Sequence, residues 1–326
     1  MLELYLRKPT ELELRQMENL PSPQGDEVKI KTTYGGICGS DLSVYKGKLE
    51  HAAYPLRPGH ELVGTIIEAG EQALYSPGTR VVIMPNTFCG ECQRCAAGQF
   101  NLCIRKKSLG VNVNGGFSEQ FVISSKFVYP LPDDLPDERA VLIEPLAVVV
   151  HAFSKVQITQ DTTVAIVGSG NEGMMSAALA TYLGAKVTAI DINPRKHELI
   201  RKLGGIRAAF PEDIKNEHFD VVVEAAGVPG SFEKSMELVR PGGSLILIGF
   251  TPEVWFPATH IVRNEISVFG SIIYIFPQDF EQAIRYLRDP KFFIDPIISQ
   301  IVPLSEYRQA YDNALSGNYG KIVFKF

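Results

Sequence analysis

No apolar run in this chain approaches the roughly 20 uninterrupted residues that a membrane-spanning helix needs. The opening stretch MLELYLRKPTELEL is charged from the start and carries no apolar signal core. Both absences predict a cytoplasmic protein. An excess of positive charge is missing too: 32 Lys and Arg stand against 37 Asp and Glu, a formal net charge of −5. A nucleic-acid or anionic-membrane partner therefore has no electrostatic support, and small-molecule chemistry is the better expectation. Internal repeats and low-complexity segments are absent, and the 45% hydrophobic content is that of a globular chain. The scarcity of cysteine is the most informative lack. There are five in 326 residues, and four of them fall in the single stretch TFCGECQRCAAGQFNLC. In a reducing compartment such a cluster reads as a metal site rather than a disulfide framework.

Residues 1 to about 145 carry short β-branched stretches broken by Gly, Pro and Asn, such as DEVKIKTTYGG, ELVGTIIEAG, GTRVVIMP and FSEQFVISSKFVYPLP. These predict an irregular β domain. From Thr163 the pattern changes to apolar strands separated by helical segments: TVAIVGSG, NEGMMSAALATYLG, AKVTAIDI, NPRKHELIRKLGG, FDVVVEAAG, SFEKSMELVRPGG, SLILIGF and EISVFGSII. Such alternation implies βαβ units and a parallel sheet. Beyond residue 273, PQDFEQAIRYLRDP and LSEYRQAYDNALSG read as helices and GKIVFKF as a closing strand.

The segment VGSGNEG places Gly168, Gly170 and Gly173 in G-x-G-x-x-G spacing directly after a strand and at the opening of a helix. The first glycine permits the tight turn, the second lets backbone approach a pyrophosphate, and the third lets helix and strand pack closely. Asn171 and Glu172 complete the turn. Asp191 ends the next strand 18 residues after Gly173, where an acid hydrogen-bonds an adenosine ribose. Arg195, four residues on, is the group that would meet a 2′-phosphate instead. The competing reading is turn glycines and a helix-capping acid. Cys89, Cys92, Cys95 and Cys103 have the spacing C-x2-C-x2-C-x7-C, which suits a closed tetrahedral zinc site that clamps a loop and offers substrate no open position. A zinc-ribbon contact surface and a redox switch are the rivals. The fifth cysteine, Cys38, lies in GGICGSD, and PGHELVG follows with His60 and Glu61. Singly, a buried Cys or His is usually core packing; together they form a candidate ligand set for a second zinc. Glu144 interrupts the apolar run VLIEPLAVVVHAF and needs a partner, for which a metal or a helix N-terminus would serve.

GGICGSD, PGHELVGTIIEAG, the four-cysteine loop, EPLAV and VGSGNEG occur in the order and spacing of zinc-dependent medium-chain alcohol dehydrogenases. The chain resembles that family along almost its whole length, most closely the polyol (sorbitol-type) and threonine dehydrogenase branches. The resemblance implies an α/β fold: a GroES-like catalytic domain over 1–145, a doubly wound Rossmann domain over 146–273, and a return to the catalytic domain over 274–326. It implies two Zn per chain. Cys38, His60 and Glu144 match the catalytic ligands, Glu61 the acid that coordinates or adjoins that zinc, and Ser40 the hydroxyl that takes the alcohol proton. The four clustered cysteines match the structural ligands. It further implies hydride transfer between an alcohol, such as a polyol or other secondary alcohol, and NAD (NADP less so), and a homodimer or homotetramer. Two departures stand out: Ser43 occupies a place where many relatives have a relay histidine, and GTRV replaces the usual GDRV.

The alternatives are a threonine or sugar-phosphate dehydrogenase, a zinc-free reductase of the same superfamily, and a non-catalytic, zinc-stabilised dinucleotide sensor. Lys46, Lys48, His51 and Arg57 are candidate contacts for an acidic substrate, with a solvated loop as the plainer reading.

Overall fold

The computed structural model describes residues 1–17, 20–251 and 253–326. The β-branched run Thr163–Val167 forms the first strand of a six-stranded sheet whose spatial order is Ile206–Ala209, Lys186–Ile190, Thr163–Val167, Phe219–Glu224, Val239–Leu247, Ser267–Gly270. Every neighbouring pair is parallel. The chain moves outward in one direction, returns to the centre, and builds out on the other side. The reversal falls beside Thr163–Val167, and in such sheets a crevice opens at the carboxyl ends of the strands flanking that point.

The two helices expected after the first two strands are Asn171–Tyr182 and Pro194–Leu203. The second is capped as its sequence predicts: Asn193 accepts from the Arg195 N–H, and Pro194 occupies the first turn, where its missing N–H costs nothing.

The other lobe is a seven-stranded sheet of mainly antiparallel pairs, centred on Glu27–Gly36. That strand pairs with Glu61–Ala69, with Gln120–Ser124 and with the C-terminal strand Lys321–Lys325. Strands from the first and the last parts of the chain thus meet in one sheet. Before the last strand, Ile298–Pro303 runs parallel to Lys321–Lys325, with the helix Tyr307–Leu315 between them.

The helix Ile143–Phe153 joins the lobes, and every residue in it but Val148 is buried. Its sequence reads as an apolar run with β-branched residues and a proline, so its type was not evident beforehand. Pro145 is tolerated because it falls in the first turn. One apolar cluster contains this helix, Val63 and Val82 of the antiparallel sheet, Ile166 and Met174 of the parallel sheet and its helix, and Phe280 of the helix Gln278–Arg288. Each such fully buried side chain contributes roughly 1.5–3 kcal/mol, so the junction is a core and not a flexible link.

Candidate active site and metal centres

The four-cysteine loop closes on itself. Cys89, Cys92, Cys95 and Cys103 present ligand atoms all within 4.8 Å of one another. The sulfur separations Cys92–Cys95, Cys103–Cys89 and Cys89–Cys95 are 3.5, 3.6 and 3.9 Å. A tetrahedron of zinc–sulfur bonds of about 2.3 Å has edges of about 3.8 Å, so the donor set fits zinc. The N–H groups of Cys95 and Ile104 pull the Cys92 thiol down to about 6, whereas burial pushes Cys95 up to about 12. A divalent cation would remove that disparity by binding all four as thiolates. The loop is anchored from outside the ligand set: Phe88 and Phe100 stack at 4.2 Å, and the Asn101 amide donates to the Ile272 carbonyl.

The second set is assembled from separate segments. Cys38 caps the short helix Gly39–Tyr45, and Glu61 opens the strand Glu61–Ala69 directly after His60. Cys38, His60 and Glu61 bring ligand atoms within 4.8 Å of one another. Strand pairing sets Glu61 opposite Gly36, where a Cβ would come within 2.1 Å of the Glu61 carboxylate; GGICGSD needs that glycine to make room for the acid. Burial and Glu61 both raise the Cys38 thiol. Burial alone would lower His60, but the charges of Asp41 and Cys38 outweigh it and raise the imidazole well above its ordinary value. Ser40 Oγ lies 3.1 Å from His60 Nε2, whereas Ser43 Oγ is turned back to donate to the Gly39 carbonyl within its own helix.

Glu144 is buried close by but is not one of the three grouped ligands. Burial pushes its carboxyl up to about 7, partly offset by His60, and the Tyr274 hydroxyl stands beside it. Tyr274 in turn accepts from the Asn86 amide at 3.0 Å.

Two further residues of this site, Asp41 within GGICGSD and Lys321, have no role assigned from the sequence. Asp41, essentially without exposure, accepts from the Cys38 and Gly59 N–H groups at 2.9 and 3.1 Å and lies 3.4 Å from His60 Nδ1. It ties the Cys38 segment to the His60 segment and places a carboxylate beside the imidazole. Its place three residues after a helix-capping cysteine was the available clue. Lys321 of the C-terminal strand is fully buried, and its ammonium donates to both Glu61 oxygens at 2.5 and 2.6 Å. The negative charges of Glu61, Cys38 and Glu172 outweigh desolvation and raise it.

On the parallel-sheet side the three glycines divide their work as their spacing predicts. Gly168 has φ +91°, and a Cβ there would meet Ala226 at 2.7 Å. A Cβ on Gly173 would sit 1.9 Å from the Gly168 carbonyl oxygen. Among the described residues outside its own turn, nothing lies within 4 Å of the Cβ position of Gly170, which leaves open space at the helix N-terminus. Asp191 accepts from the Ser169 N–H at 2.7 Å and the Asn193 N–H at 2.8 Å, so it adjoins the turn. Arg195 is on the surface, paired with Glu198. The Asn171 amide reaches the Ile37 carbonyl at 3.5 Å, so the glycine turn and the Cys38 segment meet across the cleft. Glu172 follows Asn171 in the first turn of the same helix: burial pushes its carboxyl up to about 8, Lys321 opposes that shift, and Glu61 and Glu144 add to it.

The group of basic residues offered for an acidic substrate does not hold together. Arg57 is bound to Glu3 at 2.9 Å and to the Gly115 carbonyl at 2.5 Å, whereas Lys46, Lys48 and His51 are exposed. A solvated loop accounts for those three, and Arg57 serves the fold.

Residues 24–133 match the alcohol dehydrogenase GroES-like domain, and residues 173–289 match the zinc-binding dehydrogenase domain. The chain is 32% identical to D-arabinitol dehydrogenase 1 of Uromyces fabae, covering 100% of this chain and 97% of that protein. It is likewise 32% identical to galactitol 1-phosphate 5-dehydrogenase of Escherichia coli K12, over 91% of this chain and 92% of the relative. Two solved structures superpose with a TM-score of 0.92 at 27% identity, covering 100% of this chain and 99% of theirs: an alcohol dehydrogenase of E. coli CFT073 complexed with NADH, and a zinc-binding dehydrogenase of Sinorhizobium meliloti 1021 bound to NADP. With its donor sets and glycine turn arranged as above, the chain belongs to the zinc-dependent medium-chain alcohol dehydrogenase family and is an oxidoreductase of alcohols.

Proposed function

We propose that the cleft between the two lobes oxidises a secondary alcohol of a polyol to a ketone, with NAD⁺ as hydride acceptor, and runs the reverse reaction with the same groups. The observation that carries this reading is the convergence of the Cys38–His60–Glu61 cluster with the glycine turn, through the contact of Asn171 with Ile37. When bound, zinc supplies Lewis acidity that lowers the pKa of an alcohol oxygen, and the dinucleotide supplies the hydride acceptor. Cys38 and His60 would hold the metal, with the Asp41 carboxylate beside the imidazole. Lys321 already neutralises Glu61 through both of its oxygens, so Glu144 is the carboxylate left for a cation to recruit as third permanent ligand. Glu61, paired with Lys321, would be at most a transient ligand. Ser40 receives the substrate proton, and the in-helix bond of Ser43 supports leaving that residue off the path. Asp191 hydrogen-bonds the adenosine ribose and disfavours a 2′-phosphate, which is why NAD is preferred over NADP.

The protein acts in the cytoplasm, a reading supported by its five free cysteines; no described helix is long and apolar enough to cross a membrane. It assembles as a homodimer or homotetramer. Exposed Trp255 and Val262, and Val268 on the edge strand Ser267–Gly270, support such an assembly. The deciding experiment combines metal analysis with a screen of polyols, secondary alcohols, sugar phosphates and threonine for NAD⁺ reduction. About two zincs per chain and preferential turnover of a polyol are expected. One zinc and no turnover would leave the dinucleotide-sensor reading.

A further inference from the structure

Residues 272–275 are held in a conformation they would not choose. Ile273 has φ +43°, a region that a β-branched residue enters only at a cost. Such a conformation persists where its surroundings enforce it, and here bonds fall on both sides of Ile273. On one side the Asn101 amide, from the four-cysteine loop, donates to the Ile272 carbonyl at 3.3 Å. On the other, Asp279 accepts from the Ile275 N–H at 2.7 Å. The two holders meet at His151. Its Nδ1 lies 3.1 Å from the same Asp279 oxygen, and its Nε2 lies 3.5 Å from the Asn101 amide and 3.4 Å from the Lys155 ammonium. Asp279 already serves Ile275 as acceptor, so Nδ1 donates to it and Nε2 is left to face the two donors. Between the holders, the hydroxyl of fully buried Tyr274 accepts from the amide of Asn86, at the neck of the same loop.

This segment lies between the lobes. It leaves the carboxyl end of the parallel strand Ser267–Gly270, where the Ser271 N–H donates to the Leu247 carbonyl, and Asn86 ties it to the opposite lobe. His151 belongs to the helix Ile143–Phe153, seven residues after Glu144. Seven residues are about two turns, so both side chains project from one side of that helix. The network thus sets the helix that carries Glu144 against the segment that carries Tyr274. Packing alone would call for neither an imidazole nor a carboxylate at such a junction. Resting on the alcohol-oxidising reading above, we propose that Asn101, His151 and Asp279 are positioning residues. They brace residues 272–275 against the Glu144 helix, so that the four-cysteine loop sets the geometry of a reaction whose atoms it does not touch.

The test uses the zinc-loaded chain and its Asn101→Leu, Asp279→Ala and Asp279→Asn variants, the last of which keeps an oxygen for both His151 and Ile275. Hydrogen exchange of the peptide covering residues 271–277, and kcat and KM with NAD⁺ and the polyol D-arabinitol, are measured well below each thermal midpoint. Asn101→Leu and Asp279→Ala should each speed that exchange about tenfold. Each should also lower kcat about tenfold or more, with the KM for NAD⁺ changed by less than about threefold. Asp279→Asn should restore both exchange and kcat. An unchanged kcat in the first two variants, whatever their midpoints, would mean that the network only stabilises the fold and would overturn the proposal. A loss in Asp279→Asn as large as in Asp279→Ala would do the same. Should Asn101→Leu lose the zinc of its own loop, the two Asp279 variants, which lie outside that loop, carry the comparison. A wild-type chain that does not oxidise the polyol would count against the substrate reading, and the exchange of Asp279→Ala against Asp279→Asn would still decide the brace.

Discussion

The two cysteine-containing centres are built on opposite plans. The four-cysteine loop takes all its donors from one stretch of fifteen residues, Cys89 to Cys103, and its surroundings are an aromatic stack, one amide and the Arg105 guanidinium beside Cys89 near the surface. The Cys38 centre draws on segments near 38–41, 60–61, 144 and 321, and it buries carboxylates and an ammonium together. The first plan gives a clamp whose chemistry is finished once a cation is bound. The second leaves charges that can be redistributed when a substrate or cofactor arrives, which is what proton and hydride transfer require.

Substitutions that treat the centres differently should expose this contrast. Cys38→Ser should show the largest effect, a loss of turnover of roughly 10³-fold or more with most of the fold retained, because the metal's Lewis acidity goes with its ligand. Near-normal turnover would reverse the roles of the centres. Lys321→Met should come next. It leaves the Glu61 carboxylate buried without its cation, which costs about 3–5 kcal/mol; chemical denaturation should show it, and the double variant with Glu61→Gln should recover much of the loss. A single-variant midpoint matching wild type would mean that the pair is screened.

Ser40→Ala should lower turnover on the order of 10²-fold, the scale for a lost proton-transfer group, and Ser43→Ala should change little. A selective loss at Ser43 would move the relay there. Cys89→Ser should act on the other centre, lowering the thermal midpoint by several degrees, since a closed zinc site contributes directly to folding free energy. An unchanged melting curve would refute its structural role. The acids divide more finely: Glu144→Ala should lose both zinc and activity at the Cys38 centre, whereas Glu61→Ala should keep the zinc and turn over more slowly. Metal content settles which acid is the permanent ligand. The smallest effect is expected at Asp191→Ala, which should narrow the preference for NAD⁺ over NADP⁺ by about tenfold in kcat/KM.

Much of the molecule was legible because its signals are local. The strand–turn–helix around Gly168 to Gly173 announces itself through spacing, and each glycine meets the steric demand that the spacing implies. The helices expected in PQDFEQAIRYLRDP and LSEYRQAYDNALSG fall at Gln278–Arg288 and Tyr307–Leu315. Elements whose type depends on surroundings were not legible. Ile143–Phe153 is helical because both lobes bury it on all sides, and Ile298–Pro303 is a strand because Lys321–Lys325 returns alongside it. Periodicity fails for a segment with no polar face, and pairing partners far along the chain leave no mark on a short segment.

The sequence by itself determined the donor types, their order and the turn that admits a dinucleotide, because spacing within a few residues constrains backbone geometry directly. Tertiary structure decided which charges face one another. Lys321 meets Glu61 across 260 residues, Glu3 holds Arg57 in an ion pair, and Asp41 ties the Cys38 segment to the segment of Gly59 and His60. Those pairings depend on where distant strands enter a sheet. A buried charge is stable only opposite its counter-charge, so the fold, rather than any one motif, sets the electrostatics of the active site.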